Sequence, residues 1–160
     1  LLLVDQHAAH ERVLFDTFRK AGGRGESRPL AMPLTLSLHP AETRRLEEIW
    51  PDLKKLGFNL DASEPGVLSV REVPACLSTS AARDYLSDAL SGKTDSTDGM
   101  WALMACKSAV KAGQSLARDE ALSLLEAWRA LPGKDYCPHG RPVAVTWSMD
   151  ELEKLFKRKP

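Results

Sequence analysis

The sequence carries no surplus of either charge, since 22 Lys and Arg balance 22 Asp and Glu over 160 residues. Such a chain has no bulk attraction for a phosphate backbone, so any nucleic-acid contact must come from local patches, a partner or segments outside this stretch. Long apolar runs are missing: none reaches the roughly 18 residues a membrane helix requires. No signal-peptide pattern stands at the start, which is Leu1 in what reads as mid-strand, so the chain is taken as a fragment of something longer. Cysteines are few and odd in number, at Cys76, Cys106 and Cys137. That argues for a reducing compartment, with thiols used as ligands or core filler. There is no Gly-rich phosphate loop and no internal repeat.

What is present is the balance of a folded domain, with 43% apolar and 28% charged residues. The length suffices for one domain or two small lobes. "LLLV" reads as a buried strand, followed by a helix over about 8–20 that the break "GGRGES" ends. "LAMPLTLSL" (30–38) alternates like a strand, with Pro29 and Pro33 putting its start at an edge. A helix over 40–56 carries Leu46, Ile49, Leu53 and Leu56 on one face, and Pro51 is expected to kink or split it. Two strands around Glu64-Pro65-Gly66 follow, then a helix from Ser78 or Ser80, a polar linker over 92–99, and helices over 100–113 and 117–133. A Pro- and Gly-rich turn, the strand "VAVTW" and a helix capped by Ser148 complete the order. Interleaved strands and helices predict an α+β fold.

The residues able to do chemistry gather in three places. In "VDQHAAHERVLF", His7 and Glu11 are four apart and share a helical face with Leu14 and Phe18. A carboxylate at the end of a buried face is costly unless a cation or hydrogen bonds compensate it. Asp5 stands at the carboxyl end of the first strand, where reactive groups often sit. In "CPHGRP", Cys137 and His139 flank a proline, and thiolate with imidazole suits zinc. Cys106, in "MACKSAV", is a third candidate ligand, against the alternative that it simply packs among Ala and Met. Cys76 reads as core filler, His39 as a turn or cap residue, and His10 as an exposed residue turned away from His7. Without a metal, the same residues read as a hydrogen-bonded turn, a tight loop and a packed thiol.

Four segments in order resemble the C-terminal domain of MutL, in its endonuclease-bearing form. The pattern Asp-Gln-His-Ala-x2-Glu-x4-Glu stands here as Asp5-Gln6-His7-Ala8, Glu11 and Asp16, with Asp in place of the last Glu. Ala-Cys-Arg stands as Ala105-Cys106-Lys107, which keeps the charge without arginine's fork. Cys-Pro-His-Gly-Arg-Pro is intact at 137–142, and Phe-x-Arg appears as Phe156-Lys157-Arg158. The resemblance implies a two-lobed domain. A dimerisation and endonuclease lobe comes from 1–27 and 100–160, and an inserted regulatory lobe from 28–99. It implies a homodimer that nicks duplex DNA, with Asp5, His7 and Glu11 as catalytic residues. His7, Glu11, Cys106, Cys137 and His139 would be metal ligands, with Zn2+ in the Cys/His site and Mn2+ or Mg2+ for catalysis. Lys107, Arg141 and Arg158 would contact DNA phosphates. ATP would act only through a separate N-terminal domain. The implied partners are double-stranded DNA, the mismatch-recognition protein MutS and the replication sliding clamp, in the bacterial cytoplasm at the nucleoid. The clamp segment matches Arg28, Leu30, Met32 and Pro33, with Arg28 where the motif has Gln. Two other readings stand beside this one: a non-catalytic dimerisation module with a structural zinc, and an unrelated domain whose Cys and His residues pack.

Overall fold

The computed structural model describes residues 1–111 and 113–158. In chain order its elements are β1 (Leu2–Val4), α1 (Gln6–Lys20), β2 (Ser27–Ser37), α2 (Pro40–Lys55), β3 (Asn59–Asp61) and β4 (Val67–Pro74). Then come α3 (Thr79–Leu90), α4 (Thr97–Ser108), α5 (Arg118–Arg129), β5 (Ala144–Thr146) and α6 (Met149–Leu155). Six helices and two small sheets among the described residues make the fold α+β. The chain divides into two compact units, Leu1–Val13 with Val110–Pro160, and Leu14–Ala109. The sequence reading draws those boundaries near 27/28 and 99/100.

The first unit is built from the two ends of the chain. β1 and β5 form an antiparallel ribbon that sets Leu2 opposite Thr146 and Val4 opposite Ala144. Ala8 and Ala9 of α1, Trp128 of α5, Cys137 and Val143 form its small buried core, with Val4, Val13, Leu124 and Leu125 packed around it. The two alanines matter because short side chains let the start of α1 lie close to its neighbours.

The second unit holds the larger core. Its sheet has the order β2-β4-β3, antiparallel throughout, so β2 is an edge strand. Leu46, Ile49 and Leu53 of α2 point inward as their spacing predicts, with Leu68 and Val70 of β4 and Leu86 of α3 in the same cluster. Each such buried aliphatic side chain is worth about 1.5–3 kcal/mol. Phe58 stacks on Tyr85 with ring centroids 5.5 Å apart.

Local expectations are corrected at five places. β1 is not a buried strand: Leu1, Leu2 and Leu3 are 60%, 55% and 47% exposed, because β1 has only β5 beside it in a two-stranded sheet among the described residues. Pro51 does not split α2, which runs through it. Pro51 and Glu47 are both exposed, so the carbonyl that Pro51 leaves without its helical donor belongs to the solvent side. The helix expected over 100–113 is α4. It starts earlier because Ser96 Oγ accepts from the Gly99 amide (3.1 Å), and ends earlier because Ala109 turns extended at ψ 151°. Cys76 is exposed in the turn after β4 rather than core filler, and Ser108 Oγ donates to its sulfur at 3.4 Å. His10 is half-buried and hydrogen-bonded rather than exposed.

Candidate metal centre

The site begins where β1 becomes α1. The Asp5 amide donates to the Val143 carbonyl (2.9 Å), which fixes the end of the strand. Asp5 Oδ1 then accepts from the amides of His7 (2.8 Å) and Ala8 (3.1 Å). Asp5 is therefore the N-cap of α1, satisfying two amides that the first helical turn leaves without partners. Because the helix starts at Gln6, His7 and Glu11 fall on one face, and His7 Nε2 lies 3.1 Å from Glu11 Oε1.

The turn at 137–142 is closed by its own backbone. Tyr136 bridges Pro142, the Cys137 amide donates to the Arg141 carbonyl (2.9 Å), and the Gly140 amide donates to the Cys137 carbonyl (2.9 Å). Gly140 holds φ 78°, a left-handed conformation that a side chain would strain. This turn holds Cys137 buried and His139 at the rim, and sets His139 Nδ1 3.4 Å from Glu11 Oε2.

One donor atom each from Glu11, Cys137 and His139 lies within 4.8 Å of the others. Glu11 is 2% exposed and both of its oxygens face imidazole nitrogens. His7 Nδ1 is 2.7 Å from the Val110 carbonyl, which can only accept, so Nδ1 carries a hydrogen. In a neutral ring that leaves Nε2 bearing a lone pair, aimed at a carboxylate oxygen that bears another. Two acceptors at that separation require a proton or a cation between them. Carboxylate, thiolate and imidazole are a zinc donor set, and donors around a tetrahedral zinc stand about 3.4 Å apart. The residues present therefore fit a divalent cation.

The other anticipated residues lie as follows. Asp5 caps the helix and is not a member of the Glu11, Cys137 and His139 group. Cys106 is half-buried on α4 in the second unit. Beside it, Lys107 Nζ lies 2.7 Å from Asp88 Oδ2 on α3. Asp16 pairs with Lys20 at 2.7 Å. Arg141 and Arg158 are exposed. In the segment 28–33, Arg28 donates through Nε and Nη2 to the Leu77 carbonyl (3.2 and 2.8 Å). The β2 register shifts between Pro29 and Leu34, Leu30 packs on the core, and Met32 is 79% exposed.

Sequence reasoning missed His10. The Val110 amide donates to His10 Nδ1 at 3.2 Å. Burial, with His7 nearby as the lesser cause, pushes His10 below the ordinary histidine range. No periodicity points to Val110, a hundred positions away, and only the fold reveals the contact.

Comparison with known proteins places the chain in a family. Residues 1–116 match the family described as the MutL C terminal dimerisation domain. Proteins named DNA mismatch repair protein MutL are similar over 99% of the chain: 37% identical in Ralstonia nicotianae, 34% in Rhizobium etli and 32% in Syntrophus aciditrophicus. The chain spans only 27–28% of the length of these curated relatives. It belongs to the MutL C-terminal dimerisation domain family.

Proposed function

We propose that this chain is the part of a mismatch repair protein that dimerises and nicks duplex DNA by metal-dependent hydrolysis of a phosphodiester bond. The observation that carries the reading is the meeting of Glu11 with Cys137 and His139 across 126 and 128 positions, a donor set suited to zinc. His7, Glu11, Cys137 and His139 would hold the cation. A bound divalent cation would supply an acidified water and charge stabilisation at the scissile phosphate. The protein's own part is to order these donors. The Asp5 cap starts α1 so that His7 and Glu11 share a face, and the 137–142 turn carries His139 to the solvent-exposed rim, where a phosphate has access. Family resemblance adds Asp5 with Glu11 for a manganese or magnesium ion, and Cys106 as a further ligand. Nicking of supercoiled plasmid in manganese tests the reading. Asp5→Asn retains a capping oxygen and should abolish nicking while keeping the fold.

The homodimer follows from the family and from the β1–β5 ribbon, which leaves Leu1, Leu2, Leu3 and Val145 exposed beside a hollow lined by Val4, Leu116 and Leu124. Sliding clamp, MutS and duplex DNA are the proposed partners, and the nucleoid the proposed location. No helix among the described residues is long and apolar enough to cross a membrane.

One observation favours a second reading, a dimerisation module whose zinc only holds the fold together: the Asp5 carboxylate is engaged in capping. Bound zinc without nicking, even with clamp and full-length protein present, would select it.

A further inference from the structure

His7 and His10 lie one turn apart on α1, and both reach Val110. Each contact fixes a tautomer, because a backbone carbonyl only accepts and a backbone amide only donates. His7 donates from Nδ1 to the Val110 carbonyl, so its Nε2 is left to face Glu11. His10 accepts at Nδ1 from the Val110 amide, so its hydrogen is on Nε2. The amide and the carbonyl belong to the two peptide planes that flank the Val110 α-carbon, and holding both fixes the backbone there. A third side chain of the same turn ties down the following residues: Gln6 Nε2 donates to the Gln114 carbonyl at 2.6 Å.

We propose that His10 is a positioning residue of the metal centre: by accepting the Val110 amide it holds the Val110 carbonyl where that carbonyl sets the tautomer and ring orientation of His7. The inference rests on reading the cluster as a metal site. Its physical basis is that the second nitrogen of a ligating imidazole needs a fixed acceptor for the first to be aimed. In this chain the acceptor is a carbonyl on a connecting segment, and it is steady only if that segment is held. His10 does not touch the cation.

The test compares wild type with His10→Phe, which keeps the ring size but has no acceptor, and His10→Gln, whose side-chain oxygen can accept the same amide. Zinc affinity of the full chain is measured by competition with a chromophoric chelator. The imidazole nitrogens of metal-free protein are read by 15N NMR. His10→Phe should lower zinc affinity by about 10–100-fold and mix the tautomers of His7, while His10→Gln restores both. Wild-type affinity and an unmixed His7 tautomer in His10→Phe would overturn the proposal and leave the metal site intact. A wild-type chain that binds no zinc would overturn the metal reading and the proposal together. If His10→Phe does not fold, metal-free wild type decides. Hydrogen on His7 Nδ1 and His10 Nε2 supports the arrangement, and any other pattern overturns it.

Discussion

His139 Nδ1 lies 3.4 Å from Glu11 Oε2, although 128 positions separate the two residues along the chain. The contact joins the first helix to a turn near the far end, and it faces a buried carboxylate with an imidazole rather than with a fixed cation. Removing one donor should weaken cation binding more than removing a supporting residue does, a loss beyond the roughly 10–100-fold typical of outer partners. Glu11→Gln should lose zinc in this way, while the metal-free chain keeps or gains thermal stability because a buried carboxylate is gone and the Gln amide can donate to the His7 Nε2 lone pair. A metal-free Tm well below wild type would show that Glu11 is compensated by the protein alone.

Zinc should raise the stability of the chain by linkage. At free zinc about 100-fold above its Kd the unfolding free energy should increase by about 2.7 kcal/mol. Cys137→Ser should show a much smaller increase in a chelator-to-zinc melting series. Equal increases in the two proteins would remove Cys137 from the site.

Asp5 separates capping from chemistry. Asp5→Ala should cost about 1 kcal/mol through loss of the N-cap, whereas Asp5→Asn should be near neutral in stability. Both should fail to nick plasmid. Normal nicking by Asp5→Asn would assign Asp5 to capping alone.

Acid stability should depend on Asp88. Its carboxyl is held below the usual carboxylate range, first by the hydrogen bond from Lys107 and then by that from Lys93. A carboxylate whose pKa is depressed in the folded state adds stability that is full above its unfolded value. That stability is lost as pH falls through the folded value. Between neutral pH and about pH 3, Lys107→Met should therefore lose less stability than wild type, although it starts from a lower level. Parallel acid limbs in urea titrations would contradict this.

Met32 should act without supporting the fold. It is 79% exposed in the irregular stretch of edge strand β2, so Met32→Ala should leave the Tm within about 1 °C while weakening capture on an immobilised sliding clamp. Unchanged capture would remove this segment from clamp docking.

Much of this was legible in the residues. The 3.6-residue spacing of Leu46, Ile49 and Leu53 placed α2 and its buried face, and the i,i+4 relation of His7 and Glu11 followed as soon as a helix was assigned. Other features depend on contacts remote in sequence. The role of Asp5 as a cap depended on the helix beginning at Gln6, one residue after it and two before the expected start. Helix α4 stopped at Ser108 because Ala109 turned extended, a backbone choice that the small-residue run through Gly113 did not signal. The apolar neighbourhood of Cys76 in sequence folds into an exposed turn, a placement that its neighbours along the chain do not signal.

The most direct measurement is zinc K-edge X-ray absorption on the zinc-loaded chain. The proposed metal centre predicts one bound ion with a sulfur ligand near 2.3 Å and nitrogen or oxygen ligands near 2.0–2.1 Å. It also predicts that the sulfur signal changes in Cys137→Ser. A shell made only of oxygen at water-like disorder, or no retained zinc, would contradict it.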